Sequence, residues 1–285
     1  MVSKRTARIK DILERLYARY NRREFIASDP LQFVYQYSTR ADKEVVAFLA
    51  AELAYGRVEQ IKNSLNALFG RMGPSPAAFV RNFDEAGRQA LRAFRHRFTR
   101  GDDISDLLEL LQNVLCEFGS IEKLFIQGYV PTDRNIAAAL SRFCSFLLDA
   151  YAKTHNGWVT RGLGYLLPTP AAGSACKRLN LFLRWMVRRD DVDPGLWKSI
   201  DKSRLIVPVD VHMGRLSRIL GLCGRKTVSL SAAVEITEGF AEIEPTDPVK
   251  YDFALSRVGI VADCRGRPRP RCRDCELFGF CLRHT

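Results

Sequence analysis

No run of roughly eighteen consecutive apolar residues occurs in the 285-residue sequence, which excludes a helix that crosses a bilayer within it. Period-2 alternation bounded by turn residues is nearly absent, so a sandwich or barrel is excluded and the expected fold class is all-α. Internal repeats and low-complexity tracts are missing, apart from an Arg/Pro stretch near the end. Acidic residues are in deficit, with 32 Asp and Glu against 44 Lys and Arg, a formal net charge of +12. Such an excess suits a polyanion, because each phosphate neutralised by Lys or Arg releases condensed counterions. The alternative is a merely basic protein. No basic stripe faces a wide apolar face on one helix, so a membrane surface is not the expected partner. The N-terminus, Met1 to Arg5, enters a charged, helix-patterned stretch without the apolar core of a signal peptide, which points to the cytoplasm.

What is present is helical periodicity. Ile9, Ile12, Leu13, Leu16 and Tyr20 mark a first helix between Lys4 and Tyr20. Ser28-Asp29-Pro30 reads as a helix start, with Asp29 as cap and Pro30 in the first turn. One or two apolar helices are expected from Glu44 to Phe69, broken near Gly56. Gly73 to Pro76 forms a turn before a short helix from Ala77, and Ile104–Phe118 and Arg134–Ala152 are further helices.

The cysteines divide into two groups. Cys116, Cys144, Cys176 and Cys223 are scattered through helical patterns, where a free thiol packs as a small hydrophobe. Cys264, Cys272, Cys275 and Cys281 fall within the last twenty-two residues in the pattern Cys-x7-Cys-x2-Cys-x5-Cys. Clustered cysteines without an export signal read as metal ligands rather than disulfides. Four thiolates suit tetrahedral zinc or a cubane iron–sulfur cluster, and spacing alone leaves both open. Arg265, Arg267, Arg269, Arg271 and Arg273 run through the same loop. Anchoring at the cysteines would hold Arg269 and Arg271 ready for phosphates.

The loop resembles the C-terminal cluster loop of endonuclease III-like and adenine-glycosylase-like DNA repair enzymes, which is one residue shorter in its first gap. Those loops carry a 4Fe-4S cluster, so the resemblance implies iron–sulfur, with zinc as the alternative. Two further segments extend the likeness. Pro170-Ala171-Ala172-Gly173-Ser174-Ala175-Cys176-Lys177-Arg178-Leu179-Asn180 is similar to the hairpin of that superfamily, a Gly-x-Gly turn leading into x-Lys-x-x-Asn. A small-residue turn lets backbone N–H groups at a helix start approach a phosphate. Gly173 matches the first glycine, and Ala175 stands where the second would be. Leu179, Phe182, Leu183, Met186 and Val187 form the expected buried face of the following helix, with Arg178, Arg184 and Arg188 facing out. Val207-Pro208-Val209-Asp210-Val211-His212-Met213 resembles the corresponding stretch of 8-oxoguanine glycosylases.

The resemblance implies an all-α, helix-hairpin-helix DNA glycosylase-like fold. A helical region (1–156) would pack on a helix-hairpin-helix catalytic region (157–263), closed by a four-cysteine loop (264–285). It implies base excision with lyase activity: Lys177 attacks the anomeric carbon, Arg178 is a neighbouring cation, and Asp210 supports bond cleavage. The bland reading of Asp210 is a helix cap, and both roles can hold together. Gly173, Ser174, Ala175, Arg178, Arg269 and Arg271 are the expected DNA contacts. His212 reads as structural, and Tyr55 or Arg57 stands where the superfamily often places an inserting glutamine. Lys177 and Asp210 are thirty-three positions apart, a longer separation than in endonuclease III. The archaeal 8-oxoguanine glycosylase branch shows such a length. The extra residues from Arg188 to Trp197 must loop out or lengthen the helix. The implied partner is double-stranded DNA bearing a damaged base, oxidised guanine first, bound by a nucleoid-associated monomer. The chain as a whole is also similar to a bacterial family without an assigned function. Two rival readings stand beside this one: a non-catalytic DNA-binding protein that keeps hairpin and loop for structure, and a zinc-stabilised RNA-binding module.

Overall fold

A computed structural model describes residues 4–261, 264 and 269–281. It is mostly helical, 64% of it helix, as the scarcity of strand signal requires. In chain order the α-helices are α1 (Lys4–Tyr20), α2 (Arg40–Glu52), α3 (Val58–Met72), α4 (Pro76–Arg81), α5 (Glu85–Leu91), α6 (Gly101–Glu117), α7 (Ile121–Gln127), α8 (Ala137–Thr154), α9 (Arg161–Leu166), α10 (Lys177–Val187), α11 (Val211–Ile219), α12 (Leu230–Ala241) and α13 (Asp252–Val261). The strands among the described residues are β1 (Arg95–His96) and β2 (Thr99–Arg100), which pair antiparallel as one small hairpin. No helix among the described residues is long and apolar enough to cross a membrane.

Local chemistry sets the helix starts. Thr39, Ser75, Asp84, Ser120, Thr160 and Ser229 each cap a following helix through a side-chain oxygen that accepts from the backbone N–H three residues on. Asp29 caps as expected, but the segment it opens, Pro30–Gln36, is a 3-10 helix. The break near Gly56 separates α2 from α3, and Gly56 adopts φ 106, open to glycine and costly to other residues.

A hydrophobic cluster runs from Ile9 on α1 to Leu277 in the cysteine loop, crossing both sequence halves. Within it α10 packs on α2, where Phe182 meets Phe48 edge-on at 5.1 Å and Trp197 at 5.2 Å. Trp197 comes from the long connection after α10. The helix is not lengthened there: it ends at Val187, and the connection folds back on it. Gly195 and Trp197 donate to the Trp185 and Met186 carbonyls, while the Trp197 indole donates to Glu44 Oε1 at 2.7 Å. Glu44 also accepts from the backbone N–H of Ile121 and Glu122, so a buried acid of α2 caps α7. Burial raises its carboxyl above the ordinary range despite those three donors.

Two expectations fail in the core. Arg178, Arg184 and Arg188 do not face solvent; all three are buried. Arg184 pairs with Asp193 at 3.2 Å and with Asp252. Arg188 pairs with Asp193, with Asp190 at 2.9 Å and with Asp247 at 2.9 Å. The reason is packing on every side of α10: Leu181 and Trp185, off the expected apolar face, are buried as well. A buried guanidinium must then find carboxylates: the connection after the helix supplies Asp190 and Asp193, and the segment leading into α13 together with its first residue supplies Asp247 and Asp252. Among the scattered thiols Cys144, Cys176 and Cys223 are buried, but Cys116 is exposed. Cys176 sits at the start of α10 in the left-handed region, with φ 44, rather than inside a helix.

Candidate active site

Asp210 stands one residue before α11 in extended conformation. Its Oδ1 accepts from the backbone N–H of His212 at 2.9 Å and Met213 at 2.8 Å, capping the helix. That leaves Oδ2 free to turn outward, and it lies 3.4 Å from Lys177 Nζ. The two residues are far apart in sequence, yet the connection between them folds back so that the first residue of α10 meets the residue ahead of α11. Lys177 also donates to the Ala54 carbonyl at 3.5 Å, which places its amine against the end of α2. Their side chains keep 33% and 37% of their surface open to solvent. Burial pushes the Asp210 carboxyl up, but the Lys177 ammonium and the two capping N–H groups outweigh it, and it ends below the usual carboxylate range. It is therefore ionised at neutral pH.

The turn before α10 is built from small residues, each with a local reason. Thr169 caps a 3-10 turn over Pro170–Ala172. Gly173 follows at φ 81 with open space where a side chain would be, so its backbone angle requires glycine and crowding does not. Its carbonyl accepts from Leu230 N–H at 2.9 Å, and Ser174 Oγ accepts from Cys176 N–H at 3.2 Å. Asn180 reaches back to donate to the Ala175 carbonyl at 2.9 Å. Gly173 is exposed and Ser174 half-buried, so both are reachable. Ala175 is buried, which leaves only its backbone for any contact.

Arg178 takes a different place from the one its sequence position suggests. Its guanidinium donates to the Glu52 carbonyl at 2.9 Å and to the Tyr165 carbonyl, and lies over the Tyr165 ring at 4.5 Å. It binds α10 to α2 and α9 and offers nothing to a phosphate; as a DNA contact it is corrected. Glu52, 3.6 Å from it, is fully buried, and desolvation raises its carboxyl to about 7 against the pull of Arg178.

In the C-terminal loop, Cys264, Cys272, Cys275 and Cys281 are each half-buried. Among the described residues no three His, Cys, Asp or Glu are gathered closely enough to hold an ion as they stand. The four thiols are nevertheless neighbours: burial raises the Cys275 thiol, and Cys264, Cys272 and Cys281 each add to the rise. Thiol sulfur is a suitable donor for zinc or an iron–sulfur cluster, but among the described residues the loop gathers no three of these cysteines around one point. The loop is anchored to the rest of the chain. Arg215 of α11 donates to the Cys264 carbonyl at 2.7 Å, Leu277 is buried, and Arg8 of α1 lies over Phe280 at 5.4 Å. The backbone of Arg271 lies in a 3-10 turn over Pro270–Asp274. Its side chain and the whole of Arg265 and Arg267 lie outside what the structure describes.

A family model described as "Protein of unknown function (DUF2400)" matches residues 29–261. The chain belongs to the DUF2400 family. This corrects the membership that the sequence resemblance implied, since no helix-hairpin-helix glycosylase family is among the matches. The resemblance rested on three short segments, and the four cysteines lie beyond the DUF2400 match altogether. No curated protein and no solved structure matches this DUF2400 chain significantly.

Sequence reasoning missed part of the site in the DUF2400 chain. Phe98, at the tip of the hairpin, and Tyr165, on α9, are both exposed and join Tyr55 in one aromatic group. Tyr55 stands beside Ala54, the residue that receives the Lys177 amine. No local pattern announces this group, because three distant segments contribute one ring each.

Proposed function

We propose that this chain is a DNA-repair enzyme that excises a damaged base, with Lys177 as nucleophile and Asp210 as electrostatic partner. The observation that supports it is the 3.4 Å approach of Lys177 Nζ to Asp210 Oδ2 on an accessible surface. A lysine paired with a carboxylate is commonly structural, but this pair is open to solvent, and it stands beside a small-residue turn whose Gly173 and Ser174 are reachable. In the reading proposed, α9, that turn and α10 form a helix-hairpin-helix grip on the DNA backbone. The target nucleotide leaves the stack because its sugar carbon is inaccessible within a duplex.

In the chemical step Lys177, an ammonium while paired with Asp210, first releases a proton to solvent; its amine then forms a bond to C1′ as the glycosidic bond breaks, and the nitrogen sheds a proton in doing so. The departing base keeps the bonding pair and takes up a proton. Asp210, held ionised, faces the positive charge that develops on the sugar; a carboxyl below its ordinary range is a weak proton acceptor, so its part is electrostatic. Loss of the second amine proton and opening of the sugar ring then give a Schiff base. In the C-terminal loop Cys264, Cys272, Cys275 and Cys281 would hold a 4Fe-4S cluster, with zinc as the alternative, and a bound centre would supply rigidity beside α11. Arg269 would contact the flanking phosphates.

Borohydride trapping on duplexes bearing different lesions, 8-oxoguanine and an abasic site first, tests the reading. A covalent adduct that disappears in Lys177→Ala supports it. Duplex binding without an adduct on any lesion would leave a non-catalytic DNA-binding protein, the reading that Ala175 in place of glycine favours.

A further inference from the structure

We propose that Phe98, at the tip of the Arg95–Arg100 hairpin, is a stacking platform for an unpaired DNA base, with the hairpin arginines flanking it for phosphates. The proposal rests on the reading that Lys177 and Asp210 act on DNA, and it names the part of that site which receives an unstacked nucleotide.

The hairpin is fixed before any ligand arrives. Its buried His96 bonds through Nδ1 to Ser64 Oγ at 2.9 Å and through Nε2 to the Tyr55 carbonyl at 3.0 Å. The Tyr55 hydroxyl donates to the His96 carbonyl at 3.0 Å and lies 2.6 Å from Thr99 Oγ1. Arg97 occupies the left-handed region at φ 52, which a non-glycine residue enters at a cost. Gly56 makes room for it: a β-carbon there would stand 2.9 Å from Arg97 Cδ. A turn held this firmly displays Phe98 with 66% of its surface exposed. A flexible tip would let the ring fold down and bury itself.

The surroundings define what the ring can take. Phe98 is parallel to Tyr55 within 3°, centroids 6.2 Å apart, and Tyr165 meets both rings edge-on. The group already carries positive charge, with Arg97 at 5.0 Å from the Phe98 centroid and Arg178 over Tyr55 and Tyr165, while Phe98 keeps most of its surface open. An ammonium ligand would therefore meet like charge. Arg95, Arg97 and Arg100 are exposed around the tip, and Arg57 close by in sequence to Gly56 is exposed as well. A partner that is both planar and anionic fits, which describes a nucleotide whose base is out of its pair. The group also borders the reacting pair, since Lys177 donates to Ala54, next to Tyr55.

The test is equilibrium binding by the full-length protein to three probes. These are a single strand carrying 2-aminopurine, a duplex with one bulged 2-aminopurine, and the fully paired duplex, each followed by anisotropy and by quenching of the base. The wild type is expected to quench the unpaired probes. Phe98→Ala should weaken binding to them by about ten-fold, within the roughly 5- to 150-fold range of one lost stacked base, and leave the paired duplex unchanged. Phe98→Trp should restore both signals and Phe98→Leu should not. Undiminished binding and quenching in Phe98→Ala, or an equal loss on all three probes, would overturn the platform. Lys177→Ala keeps the quench if the platform is separate from the chemistry. Quenching without a borohydride adduct on any lesion would sink the enzymatic reading alone, whereas a normal adduct with quenching untouched by Phe98→Ala would sink the platform alone.

Discussion

At its first residue α10 presents Lys177, a third exposed, to Asp210; two turns later the same helix carries Arg184, 2% exposed, between Asp193 and Asp252. Both are cations paired with aspartates, and the pairs differ chiefly in access. At the open end one carboxylate oxygen caps a helix and the other meets an amine that solvent reaches. At the closed end the guanidiniums turn inward onto a shared set of acids, and Arg188 extends the set to Asp190 and Asp247. A charged pair that water and substrate can reach is available for chemistry, while a sealed one holds elements in register at a high desolvation cost.

The sharpest way to break this contrast is Lys177→Ala, which is expected to remove the trapped adduct entirely while the protein keeps its melting temperature; an adduct that persists would assign the chemistry to another amine. Asp210→Asn comes next. Asparagine still caps α11, so DNA affinity and fold should survive, while adduct formation falls by about 10²–10³-fold, the loss typical of one electrostatic stabiliser. A parallel fall in affinity would reduce Asp210 to a structural cap. At the closed end Arg188→Met strands buried carboxylates and should cost about 3–5 kcal/mol in urea unfolding, with the folded fraction still binding DNA. A change below about 1 kcal/mol would show that the network is more solvated than its burial says.

Glu52 sharpens the comparison more gently. Its carboxyl is raised to about 7 in the fold by burial, so between its ordinary range near 4.5 and about 7 the unfolded chain is ionised where the folded one holds a proton. Stability is accordingly lost as pH rises through that window, and Glu52→Gln should flatten the decline relative to wild type. Identical profiles would mean that Arg178 keeps Glu52 ionised. The smallest effect is expected from Arg269→Ala with Arg271→Ala, which should lower the log–log salt slope of DNA affinity by about one to two units; an unchanged slope would remove the loop from the interface.

Much of the helix pattern was legible. The positions of α1, α2, α3 and α6 follow the apolar spacing, with α2 and α6 starting a turn earlier than expected, and the cap at Asp210 was readable because an aspartate before Val211-His212-Met213 opens a helix. The candidate pair was legible as two motifs but not as one site, since nothing in the spacing of Lys177 and Asp210 says that the connection folds back. The short hairpin escaped because Arg95 to Arg100 contains no turn residue; its register is fixed from outside by Tyr55 and Ser64. The arginines of α10 were misread for a related reason. Periodicity identifies the face that must be apolar, but it cannot tell that neighbours cover the opposite face too.

The sequence by itself determined that helices dominate, the neighbourhood in which several of them run, and that four cysteines fall close together along the chain. These follow from interactions between residues near in the chain or from totals over it. Tertiary structure alone decided which cations are sealed and which are open, and it alone brought Lys177 to Asp210 and three rings from separate segments to one surface. The physical reason is that burial and long-range proximity are properties of packing, set by every element at once.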